Sequence, residues 1–216
     1  MRFFSRFAWA RELKRRIWVT FEFWDYPDKD VCDIIRKYVK KGYICLDVGA
    51  HRGRTAREMA KKASMVHAFE PVRRAYVEIP RRKNIKVHPL ALADSCGKRT
   101  IYEGVDTRQS SFHKHRVPSI VRDYEVHVST IDILRLGRVD FIKIDVQWSD
   151  LAVLRGARET IRLFRPVIVV ECAQDCTDRQ AMLDFLHSFG YETTEYPMDI
   201  LATNRERVCN EKLCNS

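Results

Sequence analysis

The sequence contains no apolar run long enough to cross a bilayer, and it lacks the apolar segment and small-residue cleavage site of a secretory signal. Residues 1–27 are rich in aromatic side chains, but arginines and lysines interrupt them throughout. We therefore expect a cytoplasmic protein. Two interpretations of this arm stay open: an amphipathic helix at a membrane surface, and an arm that covers the domain's own core.

Paired C-x-x-C spacings are also absent, although the chain of 216 residues has seven cysteines. An odd number of scattered cysteines, several within apolar segments, favours a reduced intracellular protein. Neither Cys172 with Cys176 nor Cys209 with Cys214 has the second pair that is typical of structural zinc sites, so we expect no structural zinc and assign no metal ligands.

The charge is strongly unbalanced, since 39 lysines and arginines exceed 29 acidic residues and give a net charge of +10. Basic surfaces commonly bind nucleic acid, anionic lipid or acidic glycans. The basic clusters lack the interleaved aromatic residues of single-strand-binding segments, so solvated helix faces are the default interpretation. RNA stays open as a partner, and the sequence does not indicate an oligomeric state.

The most informative segment is 44–55, where an apolar strand leads into Asp47-x-Gly49-x-x-x-Gly53 and then a helical pattern. Open α/β sheets present such a turn to a nucleoside: Gly49 leaves room for a ligand, Gly53 lets the helix pack closely, and Asp47 ends the strand. The spacing lacks the third glycine of dinucleotide folds. S-adenosylmethionine, a nucleoside without phosphates, therefore fits better than NAD, and simple turn punctuation is the alternative.

A second apolar strand, residues 65–69, ends in Glu70 about 20 positions after the loop, where an acceptor for ribose hydroxyls is expected. Strand and helix patterns then alternate to the end of the domain. They predict a doubly wound, mostly parallel, seven-stranded Rossmann-like α/β sheet with helices on both faces. We expect a domain over residues 28–204 and a tail over 205–216. The predicted elements include helices over 28–41, 75–82, 150–164 and 178–189, strands over 85–92, 139–146 and 166–172, a hairpin or edge pair from 100–103 and 124–130, and a terminal antiparallel pair over 191–196 and 200–203.

In order and spacing, a set of short motifs resembles the FkbM-type S-adenosylmethionine-dependent methyltransferases over roughly residues 31–190. The resemblance implies a class I methyltransferase fold and methylation of a hydroxyl on a sugar, glycan or polyol-like molecule. The motifs are Leu46-Asp-Val-Gly-Ala-His-Arg-Gly53, Ala68-Phe-Glu-Pro71, Ala91-Leu-Ala-Asp94, Ser110-Ser111-Phe112, Thr130-Ile-Asp132, Asp140-Phe-Ile-Lys-Ile-Asp-Val146, Val153-Leu-Arg-Gly-Ala157 and Arg165-Pro-Val-Ile-Val-Val-Glu171.

The resemblance also implies roles for the residues that would bind the cofactor. Gly49 and the backbone from Ala50 to Gly53 would line it, and Asp47 would lie near its amino-acid end. Glu70 would accept both ribose hydroxyls. Ala93 and Asp94 would lie beside the adenine, where a carboxylate accepts from the exocyclic amine. The alternative for Asp94 is a cap on the turn to Gly97.

Two acids at strand ends are the candidate catalytic residues, because an alcohol is a poor nucleophile until it begins to lose its proton. Asp145 and Glu171 each end an apolar strand, where a carboxylate is costly unless it is solvated, paired or used. They would accept a proton or share a divalent ion; the alternative is that they only hold Lys143 or an arginine. His113 is a further candidate base, and His115 a candidate substrate contact in the same loop.

The match departs from the family at one place. Family members typically continue the strand of Asp145 with Glu-Gly-x-Glu, whereas this chain has Gln147-Trp148-Ser149-Asp150. Trp148 is a candidate platform for a sugar or a base; alternatively it fills the pocket of a protein that no longer turns over. Three functions follow: an O-methyltransferase for a carbohydrate or related hydroxyl, an RNA-directed methyltransferase, and a non-catalytic cofactor-binding protein.

Overall fold

The structure is a computed structural model, and it describes residues 29–172 and 176–204. The predicted arm (1–27) and tail (205–216) lie outside the described residues, as do Cys209 and Cys214. Within the described ranges, no helix has both the length and the apolar character needed to cross a membrane.

Strands and helices alternate through the described chain. The strands are β1 (Ile44–Val48), β2 (Met65–Phe69), β3 (Ile85–His88), β4 (Ala91–Leu92), β5 (Gly97–Gly104), β6 (Ile120–Ser129), β7 (Phe141–Ile144), β8 (Val167–Glu171), β9 (Tyr191–Glu195) and β10 (Asp199–Asn204). The α-helices are α1 (Lys29–Tyr38), α2 (Arg54–Met59), α3 (Arg73–Tyr76), α4 (Asp150–Arg155), α5 (Arg158–Phe164) and α6 (Arg179–Ser188).

Seven strands form the central sheet in the order β3-β2-β1-β7-β8-β10-β9. The pairs from β3 to β8 are parallel, and β10 runs antiparallel to both of its neighbours. The predicted doubly wound α/β sheet and its terminal antiparallel pair are confirmed. The chain order reverses between β1 and β7, and open sheets of this kind bind ligands at that reversal, beyond the carboxyl ends of the strands.

Alternate residues of each central strand pack against opposite layers of helices, as the period of two in a strand requires. Leu46 and Ile142 lie in the core on the side of α4, α5 and α6. Cys45 and Phe141 lie in the core on the side of α1 and α2. Helices on both faces thus bury the parallel strands, and the strand ends are left to form the site.

The predicted single strand over 85–92 is wrong, because it divides at Pro89 into two strands of different sheets. Proline has no N–H for a sheet ladder, and the Leu90 N–H bonds back to the carbonyl of His88 at 2.9 Å. After this turn β4 pairs with β6 in a second sheet of order β4-β6-β5. The predicted hairpin is confirmed, with longer strands than expected.

Two predicted helices also have different bounds. The helix over 150–164 divides at Gly156, whose carbonyl accepts from the Asp132 N–H at 3.1 Å. The Asp132 carboxylate in turn accepts from the N–H groups of Glu159 and Thr160 at 3.0 and 2.8 Å, so α5 has its own N-terminal cap. The helix expected over 75–82 is the short α3, which begins two residues earlier.

Candidate functional site

The glycine loop lies at the sheet reversal and is fastened to β2. The N–H groups of Gly49 and Ala50 both donate to the carbonyl of Phe69 at 3.0 Å. Gly49 has φ +76°, and a Cβ there would lie 1.7 Å from the carbonyl oxygen of Asp145. Position 49 therefore requires a glycine for two reasons besides a ligand: the turn has positive φ, and the backbone of Asp145 leaves no space for a Cβ. Gly53, with φ +74°, makes room for the side chain of Ile79, which a Cβ would meet at 2.7 Å.

Glu70 follows β2 and holds the loop from the other side. One carboxylate oxygen accepts from the His51 N–H at 2.9 Å, and the other accepts from the Val72 N–H at 2.8 Å. Each oxygen has a second lone-pair direction, so the group keeps capacity for two more donors. Burial raises the pKa of Glu70 to about 7. A pair of hydroxyl donors would favour its ionised form.

The loop and Glu70 line a cavity of about 400 Å³, which we call the cofactor cavity. Its apolar wall includes Phe69 and Leu92, and its polar wall includes Glu70, Lys143 and Asp145. The segment between β5 and β6 covers it with Thr107, Arg108, Ser110, Ser111 and Phe112. An apolar slot beside a carboxylate suits a nucleoside base and its ribose.

A buried charge cluster lies beneath the loop, on the α2 side of the sheet. Asp47 of β1 and Lys143 of β7 are direct neighbours in the parallel register, with Asp47 Oδ1 at 3.7 Å from Lys143 Nζ. Thr55 of α2 donates to the other Asp47 oxygen at 2.7 Å. Burial raises the pKa of Asp47, and Lys143 opposes this. Asp47 does not line the cofactor cavity, and its contacts show it supporting the loop from below.

Lys143 connects this cluster to the cavity. Its ammonium donates to the Gly49 carbonyl and to Asp145 Oδ2, both at 3.1 Å. Burial opposes its charge, but the carboxylates of Asp145 and Asp47 outweigh burial and raise the pKa of Lys143. A lysine that is fully charged and surrounded by acceptors keeps Asp145 ionised.

Asp145 and Glu171 are brought together at the ends of β7 and β8, as their positions in the sequence suggested. The Gln147 amide Nε2 donates to Asp145 Oδ1 at 3.1 Å and to Glu171 Oε2 at 3.2 Å. Lys143 lowers the pKa of Asp145 against the effect of burial. Burial, followed by the Asp145 charge, raises the pKa of Glu171 to about 10. The pair therefore carries one proton and one negative charge at neutral pH.

The segment that departs from the family pattern has an unusual backbone. Gln147 and Trp148 both have positive φ, at 54° and 78°. A left-handed residue other than glycine costs roughly 1–2 kcal/mol. The turn is held by the Val146 N–H, which donates to Asp150 at 2.9 Å, and by the Ser111 hydroxyl, which donates to the Gln147 carbonyl at 3.0 Å. Burial raises the pKa of Asp150 to about 7.

A second cavity of about 430 Å³, which we call the acceptor cavity, lies on the other side of this turn. His113, His115 and Trp148 line it, so the structure brings together the three loop and turn residues singled out in the sequence. Both histidines are exposed and neither lines the cofactor cavity. Gln147 and Glu171 line both cavities and form the boundary between them.

Comparison with known proteins agrees with this geometry. No curated protein sequence matches the chain. The methyltransferase FkbM domain matches residues 47–193, more than half of the chain. The chain belongs to the FkbM methyltransferase family. The motifs from Asp47 to Glu171 that carried the resemblance lie within the matched residues.

Solved structures share the fold of this FkbM-family chain. The FkbM methyltransferase of Methylobacillus flagellatus KT is 18% identical with a TM-score of 0.54, over 74% of this chain and 43% of its own. An rRNA methylase from Streptococcus thermophilus is 10% identical with a TM-score of 0.52, over 82% and 95%. SMU.1697c of Streptococcus mutans, in complex with SAH, is 11% identical with a TM-score of 0.51, over 82% and 96%. The chain thus spans less than half the length of the Methylobacillus protein.

The cofactor cavity suits S-adenosylmethionine. The free lone pairs of Glu70 match two ribose hydroxyls, and Phe69 and Leu92 offer apolar surface to a base. Gly49 and Ala50 line the same cavity. These residues would hold the nucleoside.

Ala93 and Asp94 do not line the cofactor cavity. Because the chain turns at Pro89 into the second sheet, Leu90, Ala91 and Leu92 form this part of the wall. The exposed carboxylate of Asp94 accepts from Ser95 at 3.2 Å and from Arg99 at 3.3 Å. These contacts favour a role in the turn over a contact with adenine.

Sequence reasoning missed His51, which lines the cofactor cavity and has φ +49°. Its ring Nε2 lies 2.7 Å from the Thr107 hydroxyl, so it joins the glycine loop to the covering segment. Burial lowers the pKa of His51 to about 4, and its ring is neutral at pH 7. The sequence signal that could have identified His51 as a cavity residue was its position directly after Ala50 in the glycine loop.

Proposed function

We propose that the protein transfers the methyl group of S-adenosylmethionine to a hydroxyl of a sugar, glycan or related small molecule. The observation that carries this proposal is the boundary between the two cavities. Gln147 and Glu171 face both, and Asp145 faces the cofactor cavity beside them. A hydroxyl that enters from the acceptor cavity would meet the carboxyl pair and the methyl donor at one place.

Asp145 is proposed to accept the hydroxyl proton. Lys143 keeps it ionised, and the Gln147 amide orients one of its oxygens. Glu171 is proposed to keep its proton. The pair can then accept one further proton, on Asp145, and Glu171 adds no second negative charge beside it. S-adenosylmethionine, held by Glu70 and the loop of Gly49, would supply a methyl group that leaves its sulfur for the acceptor oxygen, with S-adenosylhomocysteine as the other product. Asp145 would take the proton that this oxygen loses.

Positioning would supply most of the remaining acceleration, because methyl transfer needs an in-line approach in a site without water. The segment from Thr107 to Phe112 covers the cofactor cavity. The Ser111 hydroxyl donates to the Gln147 carbonyl at 3.0 Å. This hydrogen bond fixes the position of the covering segment relative to Asp145 and Glu171. His113 is left as a proposed contact for the acceptor, since it lies outside the cofactor cavity.

The test is methyl transfer from labelled S-adenosylmethionine to a panel of sugars and oligosaccharides. Asp145→Asn is expected to lower kcat by about 10²–10⁴-fold, the usual contribution of a general base, with SAH affinity within threefold of the parent. Glu171→Gln is expected to lower kcat less. Asp123→Asn, an exposed strand position, is the control. Full turnover by Asp145→Asn would overturn the catalytic assignment.

RNA-directed methylation is the second candidate, favoured by the net charge of +10. Binding to RNA phosphates releases counterions and so falls steeply with salt. Methyl transfer to RNA with no transfer to sugars would overturn the leading proposal. Tight SAH binding with no transfer to either class would support a non-catalytic protein instead.

A further inference from the structure

We propose that the acceptor hydroxyl belongs to an acidic sugar, whose anionic group binds to Arg116 in the acceptor cavity beside His113 and His115. This inference rests on the proposed function and names its class of substrate. A carboxylate, as in a uronate, and a phosphate share the required chemistry.

The first observation is how Arg116 is held. Its guanidinium carbon lies 4.2 Å from the centroid of the Trp148 ring, a stacked cation–π contact. Among the described residues, no carboxylate forms an ion pair with Arg116. Within the described part of the chain, the guanidinium is thus oriented by stacking while its five N–H donors stay available. A planar fork of donors matches a carboxylate or phosphate.

The second observation is that His113 and His115 lie in the same cavity as Arg116. Their rings lie edge to face with centroids 6.0 Å apart, and both line the acceptor cavity with Arg116. Among the described residues, neither ring has a hydrogen-bond partner. The short helix Lys114–Arg116 carries His115 and the arginine, so one turn of chain presents them together. Imidazole N–H groups are suitable secondary donors to an anion.

The third observation is the lowered charge of two carboxyls. Among the described residues, the carboxyls that line the acceptor cavity are Asp150, Glu171 and Asp178. Burial raises the pKa of Asp150 to about 7 and that of Glu171 to about 10, and Asp150 is occupied by the Val146 N–H. Glu171 is neutral at pH 7 and Asp150 is only partly ionised, so these two carboxyls oppose an anion beside Arg116 only weakly.

The departure from the family pattern at residues 147 and 148 also favours binding of an anion. The family resemblance implies an acid and a glycine here, whereas this chain has the neutral amide of Gln147 and the indole of Trp148. The first change removes a negative charge from the boundary of the two cavities. The second supplies the surface on which Arg116 stacks. Trp148 is 40% exposed, which leaves part of the indole available to a sugar ring.

The experiment compares matched acceptors: glucose, glucuronate and glucose 6-phosphate, and neutral and uronate oligosaccharides of equal length. Labelled S-adenosylmethionine reports transfer, and SAH binding is measured by calorimetry for each variant. The parent is expected to have a KM at least tenfold lower for the acidic member of a pair. The better of uronate and phosphate identifies the anion.

Arg116→Met is expected to raise the KM for acidic acceptors about tenfold or more, with kcat changed less than threefold and SAH affinity unchanged. Trp148→Phe keeps an aromatic surface and is expected to have a smaller effect. Arg82→Met, at an exposed position that lines neither cavity, is the control.

Equal use of neutral and acidic sugars, with no effect of Arg116→Met, would overturn this inference and leave the proposed O-methyltransferase in place. Transfer to RNA alone, or to neither class while SAH still binds, would overturn both proposals. A loss of SAH binding in Arg116→Met would show that Arg116 acts on the cofactor side, which also overturns the inference.

Discussion

Gly49 lies so close to Asp145 that a Cβ on the glycine would meet the aspartate carbonyl oxygen at 1.7 Å. The two residues end adjacent parallel strands, β1 and β7, and the loop after β1 crosses directly over the end of β7. The absence of a side chain at Gly49 therefore fixes the distance between the cofactor loop and the backbone that carries the proposed base.

Gly49→Ala is expected to destabilise the protein by more than about 4 kcal/mol, since the methyl group must displace a backbone in addition to adopting positive φ. Chemical denaturation monitored by circular dichroism measures this. Gly137→Ala is the matched control, because Gly137 also has positive φ, at 70°, but nothing lies within 4 Å of its Cβ position. The control should lose only about 1–2 kcal/mol. Equal losses would show that φ, rather than the contact with Asp145, requires the glycine.

Glu70→Gln is expected to weaken SAH binding about 10–100-fold, because hydrogen bonds to a charged group contribute about 1.5–3 kcal/mol. An amide would also turn an NH₂ group toward the N–H of either His51 or Val72. Calorimetric titration with SAH is the measurement, after circular dichroism has shown that the variant is folded. Asp94→Asn should bind SAH like the parent, because Asp94 does not line the cavity. A comparable loss in Asp94→Asn would restore the adenine contact that the family resemblance implied.

The affinity for SAH is expected to rise with pH, by about tenfold between pH 6 and 8, as Glu70 ionises with a pKa of about 7. The two ribose hydroxyls donate, and so prefer the ionised carboxylate. The same group has the opposite effect on the free protein. Its folded pKa lies above the ordinary value of 4.5, so the stability it contributes is complete below that value and is lost as the pH rises through about 7. A flat binding profile in the parent, or an unchanged slope in Glu70→Gln, would contradict this assignment.

The strand ends that form the site were predictable from sequence because they follow from periodicity. An acid after an apolar strand, such as Glu70 or Asp145, must lie at the carboxyl edge of a parallel sheet, wherever the intervening helices pack. The place of Asp94 was not predictable in this way. The family motif continues through it, but the missing N–H of Pro89 diverts the chain into a second sheet and turns Asp94 toward Arg99.

The protonation of the carboxyl pair also needed the structure. Asp145 and Glu171 looked equivalent in sequence, since each ends an apolar strand. Their environments differ because Lys143 lies 3.1 Å from Asp145 and stabilises its charge, whereas the charge with the largest effect on Glu171 is that of Asp145 itself. Contacts between side chains of separate strands decide which carboxyl is ionised. The local amino-acid sequence around each carboxyl does not show these contacts.

Gln147→Glu would introduce the acid that the family resemblance implies here, and it is expected to be harmful in this chain. The Gln147 amide donates to both Asp145 and Glu171, whereas a carboxylate could donate to neither and would repel the ionised Asp145. The expected loss is about 2–4 kcal/mol at pH 8, with a fall in kcat. Because the new carboxyl would have a raised folded pKa, the loss should shrink as the pH is lowered toward 5.

Gln180→Glu is the matched control for this change, because Gln180 also donates its amide to a carboxylate, that of Asp184 at 2.8 Å, but on an exposed helix face. An exposed like-charge pair four residues apart costs only about 0.2–0.5 kcal/mol. Denaturation at pH 5 and pH 8, with methyl transfer measured in parallel, separates the two variants. Gln147→Glu with the stability of the control and a raised kcat would contradict this prediction. The amide of Gln147 would then not be needed, and a carboxylate at this position would be the better catalyst. The contact of Asp145 with Glu171 through Gln147 would lose its proposed role.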